Sequence, residues 1–197
     1  MKRFNSTLLL AATLVWAGCG SGPNQETGVD TDTLSTMPVD KDLSDKEKVA
    51  VADLEAKSGS NLSGKVTFTE KDGKVTMKAE INGVSEGKHA IHIHDMGDCS
   101  ADDGSSAGGH WNPTDERHGK WGDKEGYHKG DIGNFEADAD GHGTISMTTD
   151  EWCVGCDDPK KDVVGHSLVI HDGVDDFVSQ PAGDAGKRIG CGVIKLQ

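Results

Sequence analysis

Two histidines, His92 and His94, stand two positions apart in the alternating run HAIHIH at residues 89–94. Side chains at positions i and i+2 of a strand point to the same face, so both imidazoles can reach one metal ion. His171 ends another predicted strand, HSLVIH at residues 166–171. Imidazole is a ligand for copper and zinc alike. These three residues therefore predict a metal site, whereas an isolated His-x-His pair would more often belong to a polar surface face.

A second group of candidate ligands follows within one loop-like segment, HWNPTDERHGKWGDKEGYHKGD. It contains His110, His118, His128 and Asp131. Three histidines and one aspartate suit a closed, four-coordinate zinc site. A metal held by so many ligands would also explain how a long irregular segment is fixed in place.

The elements that must position these residues are predicted to be short strands. The chain has 197 residues, of which 34% are hydrophobic, 5% are aromatic and 27 are glycine, a mixture that argues against a large helical core. Alternating runs cover residues 48–56 and, on either side of Asp72-Gly73, residues 64–83; Asp-Gly between such runs predicts a hairpin. The same device recurs around Asp140-Gly141, and residues 166–171 and 188–195 complete the strands. Two long irregular segments, 95–132 and 172–187, lie between them.

The charge balance excludes one class of partner. The formal net charge is −14 and the isoelectric point is about 4.9. Phosphate binding needs a basic surface, so no nucleic-acid partner is expected.

The N-terminus is predicted to be a targeting segment rather than part of the fold. Lys2 and Arg3 precede a short apolar run, and AGC at residues 17–19 follows it, as in a bacterial lipoprotein signal. We expect a signal peptide at 1–18, lipidation of Cys19, a flexible polar tether at 19–46 and one folded domain at 47–197. Plain secretion is the alternative. If Cys19 carries lipid, an even set remains that suits two disulfides in an oxidising compartment: Cys99, Cys153, Cys156 and Cys191.

From about residue 47 the chain closely resembles the copper–zinc superoxide dismutases, in particular their secreted bacterial branch. The motifs that carry the resemblance occur in the family's order: HAIHIHDMGDC, GGHWNP, HKGDIGN, GHSLVIHDGVDDF and GDAGKRIGCGVI. The resemblance implies an all-β, Greek-key β-sandwich or flattened barrel of about eight antiparallel strands with two long functional loops. It also implies dismutation of superoxide to dioxygen and hydrogen peroxide by a redox-cycling copper joined to a structural zinc.

Residue roles are implied by the same resemblance. Copper would be bound by His92, His94, His110 and His171, and zinc by His110, His118, His128 and Asp131, with His110 shared. Arg188 would stand beside the open copper position, and His110 would also take part in proton transfer. Asp175 would link His92 to His118. Cys99 would pair with Cys191.

Other residues and readings complete the expectations. His89 is assigned a structural role, His142 and His166 are placed at the surface, and Cys153–Cys156 is interpreted as a small structural disulfide rather than a redox pair. Superoxide is the expected substrate. The protein would be extracytoplasmic in a bacterium, periplasmic or at the cell surface, with membrane contact only through its lipid anchor and either monomeric or homodimeric. The competing hypotheses are a non-catalytic copper- or zinc-binding envelope protein and a scaffold that has lost its redox role.

Overall fold

The computed structural model of the chain describes residues 46–197, which form nine strands and one short 3-10 turn. The expected signal peptide, Cys19 and nearly all of the tether lie outside the described residues. Within the described part, no helix is long and apolar enough to cross a membrane. The strands are β1 (Lys48–Ala56), β2 (Ser63–Lys71), β3 (Lys74–Asn82), β4 (Gly87–His94), β5 (Gly133–Ala137), β6 (His142–Thr149), β7 (Ser167–His171), β8 (Arg188–Val193) and β9 (Lys195–Leu196). The 3-10 turn covers Ser105–Ala107.

Eight of the strands close into an antiparallel barrel, which confirms the predicted all-β fold. Their order is β2-β3-β6-β5-β4-β7-β8-β1, and a further pairing between β1 and β2 joins the two ends. The pairing of β3 with β6 and of β4 with β7 makes the connections Greek-key rather than a simple meander. The two-residue strand β9 follows β8 and pairs with β1 at Ala50 and Val51, on the edge that β2 leaves free.

Of the two hairpins predicted at Asp-Gly, one is found in full and the other only in part. The β2–β3 hairpin is as predicted: Asp72 and Gly73 have φ of 53° and 72°, the pair of positive angles that a tight two-residue hairpin turn requires. Around Asp140-Gly141 the predicted hairpin is only partly right, because β5 and β6 pair at a single position, Ala137 with Gly143. Beyond it β5 and β6 no longer pair with each other, whereas β5 stays paired with β4 and β6 with β3.

The barrel interior is filled by alternate residues of the strands. Phe68, Met77, Ile91, Ile93 and Ile170 belong to one continuous buried cluster. On β4 this inward set leaves His92 and His94 on the outer face, yet both are buried, because the loop 95–132 and the loop 172–187 cover that face. The covered outer face of β4 and β7 is where the site is built.

A third long irregular segment, residues 150–166 between β6 and β7, was not predicted. It is held by a parallel bridge between Cys153 and Asp162. The segment contains buried apolar residues, Trp152 and Val163. Its hydrophobic content in the sequence is therefore similar to that of a strand.

Candidate metal centre

The register of two central strands brings three histidines together. In the pairing of β4 with β7, His92 faces Val169 and His94 faces Ser167. His171 follows at the end of β7, opposite Arg188 of β8. All three imidazoles are buried, with exposed fractions of 4% or less.

Each of these three rings has one nitrogen fixed as a hydrogen-bond donor. Nδ1 of His94 donates to the carbonyl of Gly108 at 2.9 Å, and Nδ1 of His171 donates to the carbonyl of Gly186 at 3.3 Å. Nε2 of His92 donates to the carboxylate of Asp175 at 2.9 Å. A neutral imidazole that donates through one nitrogen carries a lone pair on the other. The lone pairs therefore lie on His92 Nδ1, His94 Nε2 and His171 Nε2.

Those lone pairs have no hydrogen-bond partner among the described residues. The same holds for Nε2 of His110, and all four atoms are buried. Buried polar atoms without a partner are costly, so their convergence points to a bound cation. One ligand atom from each of His92, His94, His110 and His171 lies within 4.8 Å of the others.

Burial keeps three of these imidazoles, those of His94, His110 and His171, neutral. It lowers the pKa of His94 well below the ordinary value, helped by the neighbouring His110. Burial, followed by the nearby His92, lowers the pKa of His171 to about 3. Burial also lowers the pKa of His110 to about 4, although the hydrogen bond to Asp131 opposes the shift. Neutral imidazoles are the form that binds copper, so these three rings are in the protonation state that copper binding requires.

A second tetrad shares His110 with the first. His110, His118, His128 and Asp131 also offer ligand atoms within 4.8 Å of one another. The Nδ1 atoms of the three histidines lie 2.8, 3.0 and 3.2 Å from the carboxylate oxygens of Asp131. His118 and His128 are too poorly aligned with that carboxylate to count as hydrogen-bonded through Nδ1, which again leaves ring nitrogens aimed at a common point. A buried set of three nitrogens and one carboxylate fits zinc.

The carboxylate of Asp131 is charged despite its burial. Burial alone would raise its pKa, but the hydrogen bond from His110 and the nearby imidazoles of His118 and His128 outweigh that effect and lower the pKa far below the ordinary value. Its oxygens also accept backbone N–H bonds from Gly119 at 3.1 Å and His128 at 2.8 Å. Asp131 thus gives the second tetrad a negative charge that the first tetrad lacks.

The turn that carries His128 and Asp131 is fixed against β4 at Gly130. The carbonyl of Gly130 accepts from the amide of Ile93 at 3.0 Å, and its amide donates to the carbonyl of Trp111 at the same distance. A Cβ at this position would collide with the carbonyl of Ile93. Glycine therefore lets the loop backbone approach the end of β4 closely enough for both tetrads to share one imidazole.

Asp175 connects the two tetrads through hydrogen bonds to one histidine of each. Its two carboxylate oxygens accept from Nε2 of His92 and Nε2 of His118, each at 2.9 Å. Burial would raise its pKa, but these two hydrogen bonds, His118 first, lower it well below the ordinary value. Asn134 of β5 holds the backbone of Asp175 through two hydrogen bonds, of 2.8 and 2.9 Å. One anion thereby orients a ring of each tetrad.

Both carboxylates affect the protonation of His118. Burial opposes its protonation, but Asp131 and Asp175 together raise its pKa to about 9. Its backbone is clamped by Gln180, whose amide oxygen accepts from the N–H of His118 and whose amide nitrogen donates to the carbonyl of His118, both at 2.9 Å. Sequence reasoning missed Gln180, as it missed Asn134, because both act through irregular backbone that no periodic pattern predicts.

Arg188 stands at the mouth of the first tetrad. It lines a cleft of about 380 Å³ together with His94, His110 and His171. Its guanidinium donates to the carbonyls of Gly104 at 2.8 Å and Gly108 at 2.7 Å, so its orientation is fixed. A larger depression of about 840 Å³ lies over β2 and β3, but lysines and threonines line it and it contains no histidine. The ligand chemistry, rather than the size of the cleft, marks the site.

Two disulfides are present in the described chain. Cys99 is joined to Cys191, with Cα atoms 5.7 Å apart, and this bond ties the loop after β4 to β8. Cys153 is joined to Cys156 across three positions in the loop 150–166.

The remaining histidines lie outside both tetrads. His89 is buried and donates to the carbonyl of His171 at 3.0 Å, a structural contact between β4 and the end of β7. His142 is exposed and bonds to Asn82. His166 is partly exposed, in line with its expected place at the surface; its ring packs on Trp111, with ring centroids 4.6 Å apart, and donates to the carbonyl of Asp95.

Comparison with known proteins agrees with this geometry. Residues 62–194 match the family model described as copper/zinc superoxide dismutase. Cu-Zn superoxide dismutase 5 of Dictyostelium discoideum is 36% identical over 146 residues, which cover 70% of this chain and 93% of the relative. Cu-Zn superoxide dismutase 1 of Aquifex aeolicus is 37% identical over 149 residues, covering 73% of this chain and 86% of the relative. The chain therefore belongs to the copper/zinc superoxide dismutase family.

Proposed function

We propose that this chain converts superoxide to dioxygen and hydrogen peroxide with copper bound by the first tetrad and zinc bound by the second. The copper ligands are His92, His94, His110 and His171, and the zinc ligands are His110, His118, His128 and Asp131. Copper and zinc are the cofactors of the family to which the chain belongs, and superoxide is its substrate.

One observation carries the residue-level proposal. Two buried sets of four ligand atoms meet at one imidazole, whose Nδ1 faces Asp131 while its Nε2 lies on the side of the other three histidines of the first tetrad, without a hydrogen-bond partner. A single metal-storage site would need only one such set. The shared ring favours a centre in which the metal of the first tetrad changes oxidation state, while the metal of the second tetrad orients the shared imidazole and adjusts its basicity.

When bound, copper supplies the one-electron exchange that oxidises one superoxide and reduces a second, with uptake of two protons to give hydrogen peroxide. The chain supplies the surroundings of that exchange. Arg188 offers a fixed cationic group beside the cleft, which can hold and orient a small anion. Nε2 of His110 is the atom at which the chain can take up a proton and return it, since its other nitrogen is held toward Asp131.

The experiment is superoxide decay with protein loaded with both metals, comparing wild type with His94→Ala. His142→Ala is the matched control, because it removes an exposed imidazole outside both tetrads. We expect decay near the roughly 10⁸–10⁹ M⁻¹s⁻¹ diffusional ceiling in wild type and the control, and its loss in His94→Ala. Tight binding of both metals by wild type without superoxide decay would contradict the proposal and favour a metal-buffering protein.

We also propose that the chain is a secreted lipoprotein anchored at Cys19 in a bacterial envelope, with a tether at 19–46 and a catalytic domain at 47–197. Lys2 and Arg3, the apolar run 8–16 and the small residues Ala17 and Gly18 before Cys19 support it. Mass analysis of the N-terminal peptide tests the proposal, with Cys19→Ser as control. A lipid-modified cysteine at the new N-terminus is expected, whereas an unmodified peptide cleaved elsewhere would favour plain secretion.

A further inference from the structure

The zinc-side turn 128–131 is held from outside by a segment that contributes no ligand. In the loop 150–166, the indole nitrogen of Trp152 donates to the carbonyl of Lys129 at 2.9 Å. The side chain of Lys129 forms an ion pair with Glu151, and the hydroxyl of Tyr127 donates to the same carboxylate at 2.6 Å. Two contacts thus reach the turn at Lys129, and a third reaches Tyr127, the residue just before the turn.

The turn so held is the one that carries two ligands of the second tetrad. His128 and Asp131 close it through a backbone bond of 3.1 Å, and Lys129 lies between them. On its inner side Gly130 is bonded to β4, as described above. Glu151 contacts the side chain of Lys129, and Trp152 contacts its backbone carbonyl. The turn is therefore held at both of its central residues, Lys129 and Gly130.

Trp152 can position the turn because its own side chain is packed in the core. Its side chain is 1% exposed and packs edge-on against Phe68 of β2 at 6.0 Å and Trp121 at 5.2 Å. The chain that follows is braced in turn. Cys153 is bonded to Cys156, its amide donates to the carbonyl of Lys161 at 2.8 Å, and the next amide, of Val154, donates to Glu70 at 2.9 Å.

We propose that Glu151 and Trp152 are positioning residues for the metal centre, which hold His128 and Asp131 at the separation that zinc requires. The Cys153–Cys156 disulfide braces the loop that presents them. This inference rests on the proposed zinc site. Groups that orient metal ligands typically change metal affinity by about 10–100-fold when removed.

The experiment measures transfer of zinc from the fully loaded protein to a chromophoric chelator, and copper loss from the same samples. Trp152→Phe keeps an aromatic ring in the core but removes the indole donor. The control, Trp121→Phe, removes an indole from the same cluster and leaves the bond to Lys129 in place. Glu151→Gln removes the charge that pairs with Lys129.

We expect zinc release to be about tenfold faster in Trp152→Phe and severalfold faster in Glu151→Gln, with Trp121→Phe within about twofold of wild type. Copper loss should stay within about twofold in all of them, because β4 and β7 carry three of its ligands. Equal zinc release in Trp152→Phe and Trp121→Phe, or equal acceleration of both metals, would overturn the proposal. If Trp152→Phe does not fold, a wild-type release rate in Glu151→Gln overturns it. A wild-type chain that binds no zinc would instead contradict the proposed function.

Discussion

Replacing Asp175 by asparagine should weaken zinc binding strongly, although the new side chain has nearly the same size. The carboxylate accepts from His92 and from His118 at 2.9 Å each, and both rings must keep that N–H if their Nδ1 atoms are to bind metal. A carboxamide has one oxygen and one NH₂ group, so it can accept from only one of the two rings and presents a donor to the other. His92 is held in β4, whereas His118 lies in an irregular loop. We therefore expect His118 to turn or to change tautomer.

The size of the effect follows from the bond that is lost. A buried hydrogen bond to a charged group contributes about 1.5–3 kcal/mol. At about 1.4 kcal/mol for each factor of ten, zinc affinity should fall by about 10–100-fold. The assay is equilibrium competition with a zinc chelator, repeated for copper. Asp176→Asn is the matched control, because Asp176 is exposed and its carboxylate bonds only within its own loop, to residues 178 and 179. Zinc affinity of Asp175→Asn within about twofold of the control would refute the reasoning.

Three further predictions concern the rest of the centre. Loss of the Cys99–Cys191 disulfide, which spans 92 positions, should lower the free energy of unfolding by about 4–5 kcal/mol, measured by denaturant unfolding of Cys191→Ser; an unchanged midpoint would contradict this. The pKa of His118 in the metal-free protein is about 9, so at pH 7 zinc must displace its proton, and zinc affinity should rise about tenfold per pH unit up to about pH 9 and then level off. Calorimetry in buffers of different ionisation enthalpy should accordingly detect about one released proton at pH 7, and none would be the contrary result. Arg188→Gln should reduce the second-order rate constant and weaken its dependence on ionic strength, with metal content unchanged; an unaltered salt dependence would count against a role in anion capture.

The part of the site that lies on strands was predictable from the residues alone. His92 and His94 share a face of β4 because the strand period is two, and their same-face placement follows without knowledge of the partner strands. The pairing of Cys99 with Cys191 and the sharing of His110 were implied by the resemblance, since neither follows from spacing.

Contacts between irregular segments were not predictable. The clamp of Gln180 on His118 and the bond of Trp152 to Lys129 join residues 62 and 23 positions apart through loop backbone. The geometry of these contacts depends on how two loops fold over the barrel, and the spacing of hydrophobic residues in the sequence does not predict it. The short pairing of β5 with β6, at a single position, was also not predictable. The Asp-Gly turn predicts where the chain reverses, but the number of residues that two strands pair depends on the rest of the sheet.

The most direct test of the paired centre is a crystal structure of the copper- and zinc-loaded protein with anomalous data at both metal edges. We expect copper on His92 Nδ1, His94 Nε2, His110 Nε2 and His171 Nε2, and zinc on the Nδ1 atoms of His110, His118 and His128 together with Asp131. His110 would then bridge the two metals. A single metal, or two metals bound without His110 between them, would contradict the assignment.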